Sequence, residues 1–349
     1  MNVFVQPYYL WKGHFRQYAD ALVTEEDTLL TSKIKSPRPN SLVFFLFRVL
    51  CMLIVMVKVL FLKNKKNTNL FIIECEPLIF LIFFSVFNCF NKVSFTIHAV
   101  NKPLTGRGWK NILYKIRSYL FFVFIKKINK IKNYQIIVHS RFHELSLREK
   151  FDSNFFLDVN VVDYPCPVPK VDRSELPSNK FFSNEILLFG AVREDKGLSD
   201  FIQSFSQASN GRYLLNVVGK ISDPSVLSLS EKKTLHVNFV DKFVSDDELK
   251  DMVDRAKFFI VPYARSYQGG AGPLKDAASF GLPALCSRLP LFEEVASITG
   301  YVKIFDSVDN LFHSIANIDE EEYRTLSTSA LTYSNENNWS NFREKYIYL

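Results

Sequence analysis

The sequence is poor in cysteine, with 5 in 349 residues, and no two of them form a CxxC pair. An odd number of scattered cysteines in mostly apolar surroundings argues against a disulfide framework and against a structural zinc site. The N-terminus also lacks the basic, apolar and small-residue regions of a signal peptide. These absences favour reduced thiols and a cytoplasmic location.

Long uninterrupted hydrophobic runs are also missing. The most apolar segment, residues 41–62, is interrupted by Arg48 and Lys58. A membrane-spanning helix needs about 20 predominantly apolar residues, and the next run, residues 77–91, is shorter than that. A membrane span is one interpretation. We favour the other, in which these are core helices whose long basic side chains reach solvent.

The overall composition is that of a large folded protein, with 48% hydrophobic and 15% aromatic residues. Short apolar runs alternate with longer helical patterns, which predicts an α/β fold with parallel sheets and helices on both faces. The proline-rich stretch around residues 165–182 is typical of a linker. We therefore expect a first Rossmann-like domain over 1–168, a linker over 169–184, a second domain over 185–334 and a final helix over 335–349.

Positive charge is concentrated in residues 101–150, which contain twelve Lys or Arg and two acids, while the whole chain has a net charge of +7. Phe121, Phe122, Phe124 and Ile125 lie among these charges. Basic residues beside exposed aromatics suit an anionic membrane surface. A solvated basic face and a nucleic-acid site are the alternatives, but no RNP, KH or zinc-finger pattern supports nucleic acid. The sequence thus predicts contact with an anionic membrane.

The stretch LLFGAVREDKGLSDF predicts a phosphate-binding turn. A strand ends at Phe189, Gly190 follows, and a helix begins near Gly197. Gly190 lets a ligand approach the backbone closely. Arg193 and Lys196 lie in the turn before the helix, where free N–H groups and the helix dipole also favour an anion. An ordinary turn with solvated basic residues is the competing interpretation.

Glycine is scarce as well, with 12 in the chain, yet Gly269, Gly270 and Gly272 fall within four positions of SYQGGAGPLKDAASFGLP, residues 266–283. The run follows a buried strand, FFIVPY, and precedes a short helix. Gly269, Gly270 and Gly272 therefore leave room for a sugar and its diphosphate at a helix N-terminus. Gln268 could bond sugar hydroxyls, and Asp276 could accept hydrogen bonds from two ribose hydroxyls. A tight turn without a ligand remains the alternative.

Together these motifs resemble the retaining glycosyltransferase family four, which has the GT-B fold. Members show a strand, a glycine, a basic residue and Lys-Gly, as in FGAVREDKG here. They also show Glu-Gly-x-Gly followed by Glu-Ala-x-Ala-x-Gly-x-Pro, where this chain has Gln268 and Asp276 in place of the two glutamates. Residues 337–346, NNWSNFREKY, resemble the family's final helix. The resemblance implies two Rossmann-like domains facing across a cleft, with that helix crossing back to the first domain.

The resemblance also implies roles in the first half of the chain. SFTIHAV resembles the family's strand ending in Thr-x-His, so His98 would face the donor sugar. QPYYLWKGHF stands where the family has a glycine-bearing loop, so Gly13 would let that loop approach donor or acceptor. Glu74 and Glu76 follow another strand in IIECEPL. One of them could bind the acceptor or act on its proton, but a solvated pair at a strand end is the simpler expectation.

The function we expect is a metal-independent, retaining transfer of a sugar from a nucleotide-diphosphate sugar, with UDP or GDP, to a lipid-linked or lipid-anchored glycan in surface polysaccharide synthesis at the inner membrane face. The expected catalytic residues are His98, Gln268, Arg193 and Lys196. The expected donor-binding residues are Gly13, Gly190, Arg193, Lys196, Gln268, Gly269, Gly270 and Asp276. No cofactor is expected. The alternatives are a catalytically silent subunit of a membrane assembly complex, which Gln268 and Asp276 make conceivable, and a sugar-nucleotide epimerase.

Overall fold

The computed structural model contains two compact units. It describes residues 1–11, 14–35, 42–98, 109–150, 157–171, 178–231, 236–267, 270 and 272–348. Unit 1 comprises Met1–Tyr164 with Ser340–Leu349, and unit 2 comprises Pro165–Trp339. The first unit thus ends slightly before residue 168, the bound expected from the sequence.

Unit 1 is built on six parallel strands. They are β1 (Asn2–Val5), β2 (Thr28–Leu30), β3 (Asn69–Ile72), β4 (Lys92–Ile97), β5 (Tyr134–Val138) and β6 (Val159–Val161). Their order in the sheet is β2-β1-β3-β4-β5-β6. A parallel sheet is covered on both faces, so its strands consist mostly of buried apolar residues. In β4, KVSFTI, every residue after Lys92 is buried.

Helices cover both faces of this sheet. They are α1 (His14–Leu22), α2 (Leu42–Leu60), α3 (Pro77–Ile82), α4 (Phe84–Phe87), α5 (Trp109–Ile128) and α6 (Arg141–Arg148). Residues from α2 to α6 share one core with the side chains on one face of the sheet. α1 lies on the opposite face, where Tyr18 reaches Thr96 of β4. This arrangement follows from right-handed crossovers, because α2 to α6 all connect strands that progress in one direction.

Unit 2 repeats the plan with a second parallel sheet. Its strands are β7 (Glu185–Phe189), β8 (Leu214–Val218), β9 (Val237–Val240), β10 (Ala256–Val261), β11 (Ala284–Ser287) and β12 (Val302–Phe305). They are arranged in the order β12-β11-β10-β7-β8-β9. The central strand β10, AKFFIV, is buried along its whole length. From β7 the chain adds strands towards one edge of the sheet, and from β10 it adds them towards the other. In such sheets ligands bind where the direction reverses, here beyond the carboxyl ends of β7 and β10.

The helices of unit 2 begin at polar capping residues in several cases. They are α7 (Leu198–Ser209), α8 (Pro224–Ser230), α9 (Asp246–Arg255), α10 (Gly272–Ser279), α11 (Pro290–Thr299), α12 (Val308–Asn317) and α13 (Glu320–Glu336). Ser245 and Glu248 form a capping box at α9, and Asp223 and Asp319 accept backbone N–H bonds at α8 and α13. Such caps fix where a helix starts and contribute about 1 kcal/mol each.

The last helix returns the chain to unit 1. α14 (Trp339–Ile347) buries Phe342 and Tyr346. The Phe342 ring centroid lies 5.1 Å from that of Tyr18, and the hydroxyl oxygens of Tyr346 and Thr96 are 2.5 Å apart. The predicted crossover of the final helix is therefore confirmed.

Three elements differ from those expected. The run over residues 77–91, expected to be a core helix, contains two helices, α3 and α4, because Phe83 between them has a non-helical ψ of 15°. The strand β2 was not expected. It has only three residues, all half-buried, so it shows no alternation of buried and exposed side chains by which a strand could be predicted. The helix α8 has seven residues and starts at Pro224, which is acceptable only in the first turn of a helix.

The aromatic residues of α5 also differ from expectation. Phe121, Phe124 and Ile125 are buried in the core of unit 1 rather than exposed among the lysines. The exposed face of α5 carries Ile112 and Tyr119 instead. The prediction of an exposed cluster at Phe121–Ile125 is wrong. Because α5 is apolar on more than one side, apolarity alone does not show which side is exposed, and here Phe121 and Phe124 pack in the core against the sheet.

The helix α2 is only partly a core helix. By length and composition alone, Val43–Leu60 could cross a membrane, and 28% of this window is buried. One face is fully buried and contains Cys51, Met52, Val55, Met56 and Val59. The expectation of a core helix is therefore correct for this face and wrong for the opposite one, whose large apolar side chains are exposed.

Candidate functional site

The first candidate site lies at the carboxyl end of β7 in unit 2. Gly190 follows this strand with φ +114°, and a Cβ there would lie 2.6 Å from Cγ of Pro273 in the first turn of α10. Gly219, which follows β8, is equally constrained, since its Cβ would lie 2.3 Å from the carbonyl oxygen of Gly190. Only glycine fits these two positions. They bring the N-terminus of α10 and the turn after β7 into direct contact.

Lys196 lies beside this contact. It ends a short 3-10 turn, Glu194–Lys196, and its side chain is buried. Its Nζ lies 4.6 Å from the ring centroid of Tyr263 and 3.9 Å from the position a Cβ of Gly190 would occupy. Burial, reinforced by the charge of Arg193, lowers the pKa of Lys196 to about 8. An ammonium held in this way gains from an anion that compensates for its lost hydration.

Arg193 is close by but already paired. Its guanidinium forms two bonds to the carboxylate of Asp195, Nε to Oδ1 at 2.9 Å and Nη2 to Oδ2 at 3.0 Å. Burial would lower the pKa of Arg193, but the hydrogen bonds and charge of Asp195 raise it. About half of the side chain is exposed. Arg193 is thus a second cation at the turn, but a bound anion would compete with the Asp195 carboxylate for its guanidinium.

Gly270 lies just before α10, next to open space. A Cβ at Gly270 would meet nothing within 4 Å. The hydroxyl of Tyr267 donates to the Gly270 carbonyl at 2.6 Å. Asp276, in the second turn of α10, is half-buried. The space beside Gly270 is therefore open, which the first turn of a ligand-binding helix requires.

Gln268 and Gly269, and also Gly13, lie outside the described residues, so their predicted roles stay predictions. His98 is described, and it belongs to a second cluster in unit 1.

The cluster in unit 1 is centred on two buried carboxylates. Glu76 Oε1 accepts hydrogen bonds from Arg48 Nε at 2.7 Å, from Arg117 Nη2 at 3.3 Å and from the Tyr8 hydroxyl at 2.9 Å. Burial would raise the pKa of Glu76, but the two arginines and Tyr8 hold it below its ordinary value. Glu74 is equally buried. The expectation of a solvated pair is therefore wrong, because α2 and α5 bring arginines onto both carboxylates.

Glu74 links the arginines to two histidines. Its carboxylate lies 3.5 Å from Arg48 Nη2, 3.5 Å from His98 Nε2 and 3.8 Å from His14 Nε2. The rings of His14 and His98 are perpendicular, with centroids 4.9 Å apart. Burial lowers the pKa of His14, although the charge of Glu74 opposes this. A carboxylate, two imidazoles and a guanidinium thus converge at the carboxyl ends of β3 and β4.

His139 completes a hydrogen-bonded chain behind His98. Its Nδ1 lies 2.9 Å from the carbonyl of Val162, which can only accept, so this nitrogen donates. Burial and the neighbouring His98 lower the pKa of His139 well below its ordinary value, which keeps the ring neutral and its Nε2 an acceptor. His98 Nδ1 is 3.1 Å from that Nε2, and His98 Nε2 is 2.9 Å from the carbonyl of Ile73. A neutral His98 would leave one of these contacts without a hydrogen.

A cavity of about 110 Å³ opens beside this cluster. Glu74, His98 and Arg117 provide its polar wall, and Pro77 and Phe121 belong to its apolar wall. A group that binds here would meet hydrogen-bond donors and acceptors of both charges on one side and hydrocarbon on the other. This mixture suits a hydroxylated substrate with an apolar part.

The cluster also contains one set of potential metal ligands. His14, Glu74 and His98 each offer a ligand atom, and these atoms lie within 4.8 Å of one another. Imidazole nitrogen and carboxylate oxygen are ligands that transition metals accept. Against this, Arg48 already lies 3.5 Å from Glu74, and a guanidinium there lowers the attraction for a cation.

The sequence motifs missed the residues that hold these clusters in place. Arg48, Arg117, Tyr8 and His139 in unit 1 were not singled out, nor was Tyr263 in unit 2. A signal for His139 did exist. Ile97 pairs with Val138 in the register of β4 and β5, so His98 and His139 directly follow adjacent parallel strands. Histidines at matched strand ends in the sequence predict neighbouring rings.

Comparisons with known proteins agree with this architecture. Residues 173–331 match the family described as Glycosyl transferases group 1. The O-antigen chain mannosyltransferase B of Escherichia coli is 27% identical over 101 residues, which are 28% of this chain and 26% of that protein. The match thus spans about a quarter of that relative.

Solved structures match over nearly the whole chain. WaaG, a glycosyltransferase involved in lipopolysaccharide biosynthesis, aligns over 99% of this chain and 98% of its own, with TM-score 0.61 and 13% identity. A trehalose-6-phosphate structure from E. coli, bound with UDP-2-fluoro glucose, aligns over the same shares with TM-score 0.71 and 10% identity. Sucrose-phosphate synthase from Thermosynechococcus elongatus covers 99% and 97%, with TM-score 0.69 and 14% identity.

The fold is therefore GT-B, since these neighbours align with 99% of this chain, which contains two parallel six-stranded sheets. Residues 173–331 of unit 2 carry the group 1 glycosyl transferase sequence. This matched segment contains FGAVREDKG and the glycine-rich run, and its match agrees with the resemblance to family-four glycosyltransferases.

Proposed function

We propose that the protein transfers a sugar from a nucleotide-diphosphate sugar to a hydroxyl of a lipid-linked or lipid-anchored glycan, with retention of configuration. One observation carries the donor half of this proposal. Within the group 1 glycosyl transferase segment, the buried Lys196, the bare backbone of Gly190 and the N-terminus of α10 meet at the carboxyl ends of the strands. This is the arrangement that a diphosphate requires.

In the proposed donor site, Lys196 and the N–H groups of α10 neutralise the diphosphate, and Arg193 contributes when it turns from Asp195. Gly270 leaves space for the sugar, and Asp276 holds the ribose. The nucleotide of the donor is UDP or GDP. Mannose is the first sugar to test, because a relative of this chain is by name an O-antigen chain mannosyltransferase.

In unit 1 we assign acceptor binding to the cavity beside Glu74, His98 and Arg117. A glycan hydroxyl would find a carboxylate and an imidazole there, and the apolar wall formed by Pro77 and Phe121 would accept a less polar part of the acceptor. His98 then serves as a catalytic residue, and His139 holds its ring in place.

The reaction we propose needs no protein nucleophile. The acceptor oxygen attacks the anomeric carbon on the face that the diphosphate leaves, so one C–O bond forms as the other breaks. The departing phosphate oxygen takes the acceptor proton. Stabilisation of the leaving group by fixed cations and helix N–H groups is the main catalytic contribution. On this view metal ions are dispensable, and activity should survive treatment with EDTA.

The setting we propose is the cytoplasmic side of the membrane in surface polysaccharide synthesis. Its support is the relative in O-antigen synthesis and the neighbour in lipopolysaccharide synthesis. The basic character of α5 and its flanks adds to this, because cations near an anionic surface contribute roughly 1 kcal/mol each.

The deciding experiment is a screen of nucleotide sugars by thermal shift, followed by transfer and hydrolysis assays on those that bind. A ligand at about 100 times its Kd should stabilise the protein by roughly 2.7 kcal/mol. We expect one UDP- or GDP-sugar to stabilise it and to be consumed when a lipid-linked glycan is added, with the product's anomeric configuration read by NMR.

Two results would contradict the proposal. If a nucleotide sugar binds but is neither hydrolysed nor transferred to any lipid-linked glycan, the protein is the silent subunit considered from the sequence. If the sugar is converted to its epimer without an acceptor, the epimerase alternative replaces the transferase.

A further inference from the structure

The exposed side of α2 carries a continuous apolar stripe. Its members recur at intervals of three and four residues, and each is 36% to 57% exposed: Val43, Leu46, Leu50, Leu53, Val57 and Leu60. This spacing places them along one side of the helix. Phe61, directly after the helix, extends the stripe and is 80% exposed. At roughly 1.5 Å per residue, the stripe is about 28 Å long.

The stripe continues onto the neighbouring helices. α3 packs against both α2 and α5, and its outer side exposes Leu78 and Ile82. α5 exposes Ile112, Ile116 and Tyr119 at similar helical spacing. All three helices lie on one face of the sheet, so their outer sides point away from it in the same general direction. More than half of the large apolar side chains that are exposed in the described residues belong to this surface.

The charge around this apolar surface is of one sign. The sequences of α2, α3 and α5 contain no Asp or Glu at all. Exposed lysines border the surface at Lys58, Lys63, Lys115, Lys126 and Lys127. A second copy of the chain would bring the same lysines against one another, which disfavours a symmetric dimer. An anionic lipid surface complements both the charge and the apolar area.

The contacts on the buried side of α2 restrict the orientation in which the helix can bind a membrane. Its core residues are fully buried, and Arg48 Nε holds Glu76 at 2.7 Å. Lys58 Nζ donates to the carbonyl of Thr31 at 2.7 Å. A spanning orientation would break these contacts and remove one side of the unit 1 core. The exposed stripe can enter a membrane only while the helix lies parallel to the surface.

We propose that the outer sides of α2, α3 and α5 form a docking surface for an anionic phospholipid bilayer, with α2 lying flat in the headgroup region. The proposal rests on the proposed function in one respect, since it presents unit 1 to the membrane in which a lipid-linked acceptor is held. The inserted group is the leucine stripe of α2. The lysines of α5 add attraction at longer range.

The test is binding of the purified protein to vesicles of phosphatidylcholine with and without phosphatidylglycerol, measured by cosedimentation. The test variant replaces Leu46, Leu50 and Leu53 with glutamine. These side chains are exposed, so the fold should survive, and an unchanged melting temperature and nucleotide affinity will confirm that it does. Because each leucine loses roughly half of a full burial contribution, we expect at least tenfold weaker binding to anionic vesicles. Phe243→Gln, which removes an exposed apolar side chain of unit 2, is the control and should bind like wild type.

A second measurement reports insertion directly. In a Cys89→Ser background, which removes the exposed native thiol, Leu53→Cys is labelled with an environment-sensitive fluorophore. We expect a blue shift on vesicle addition and quenching by lipids brominated near the headgroup, while a label at Phe243→Cys shows neither.

Three outcomes would overturn the proposal. The first is wild-type vesicle binding by the triple variant, with loss of binding in Lys126→Gln/Lys127→Gln, which would leave only electrostatic adhesion. The second is a wild-type dimer that the triple variant dissociates. The third is quenching at the bilayer centre, which would show spanning. Docking and catalysis are tested separately. Sugar transfer to a detergent-dispersed acceptor without vesicle binding would contradict only the docking proposal. Vesicle binding without sugar transfer would contradict only the proposed enzymatic function.

Discussion

The pKa of Lys196 gives the sharpest test of the proposed donor site. Burial and Arg193 lower this pKa to about 8, so the side chain changes charge within the working range of most assays. If the diphosphate binds only the ammonium form, its apparent Kd equals the intrinsic Kd divided by the protonated fraction. That fraction is about nine-tenths at pH 7 and about one-tenth at pH 9, so affinity for a nucleotide sugar should fall roughly tenfold between them.

Matched variants isolate this titration from others. Lys196→Arg keeps a positive charge at every pH of the assay, so its Kd should not change between pH 7 and 9. Lys196→Met removes the charge, so its Kd should be weak and equally flat. Calorimetry in two buffers of different ionisation enthalpy should show that wild type takes up protons on binding at pH 8 to 9, since an anion raises the pKa of the ammonium.

The same group predicts the sign of a stability effect. The pKa of Lys196 is lower in the folded protein than its ordinary value near 10.5. The unfolded chain therefore binds more protons between pH 8 and 10.5, and the contribution of Lys196 to the unfolding free energy rises with pH there. Lys196→Met should lack that contribution. A wild-type Kd that stays constant from pH 7 to 9, or a Lys196→Arg variant with the wild-type slope, would refute the assignment of Lys196 to the diphosphate.

Three further predictions concern single side chains. Gly270→Ala should have an unfolding free energy within about 0.5 kcal/mol of wild type, since its Cβ meets open space. If the donor lies there, the variant should transfer sugar at least roughly tenfold more slowly. Turnover at the wild-type rate would mean that the loop is only a turn. Glu76→Gln should cost about 3 kcal/mol or more by leaving Arg48 buried beside a neutral partner. Because the pKa of Glu76 is lowered, that contribution is present above about pH 4.5 and lost on acidification, so the variant's acid-unfolding curve should be flatter. His139→Ala should reduce turnover roughly ten- to hundredfold by releasing His98, with nucleotide Kd unchanged; an equal loss in Kd would indicate a general folding defect instead.

Local motifs allowed much of unit 2 to be predicted. The turn after β7 was visible because Gly190, Lys196 and the start of a helix fall within a few residues of one another. Even the positive φ of Gly190 agrees with the residue type, since a side chain there would strain the backbone. Such features depend on neighbours in sequence, and a short stretch contains all the information that they need.

The cluster in unit 1 could not be predicted in the same way. Glu76 was expected to be solvated, yet its partners Arg48 and Arg117 lie 28 and 41 positions away along the chain. Which carboxylate meets which arginine depends on how α2 and α5 pack over the sheet, and no spacing within IIECEPL records that. Only the strand register offered a long-range signal, through His98 and His139 at matched ends of β4 and β5.

The apolar helices show a different limit. α2 and α5 are apolar around much of their circumference, so hydrophobic periodicity does not decide which side faces the sheet. The sequence correctly marked α5 as basic and aromatic, but Phe124 proved to be a core residue and Tyr119 an exposed one. The packing of α3 between α2 and α5 determines which residues of each helix stay exposed.

The return of α14 to unit 1 has a consequence for how the chain folds during synthesis. Unit 2 is one continuous segment, whereas Tyr18 and Thr96 of unit 1 receive their partners Phe342 and Tyr346 only after all of unit 2 has been translated. Domains usually form in the order in which they leave the ribosome. Here the first unit to emerge is completed after the second, so until then the sheet face beside α1 lacks α14 and leaves Tyr18 and Thr96 open to chaperones or to aggregation.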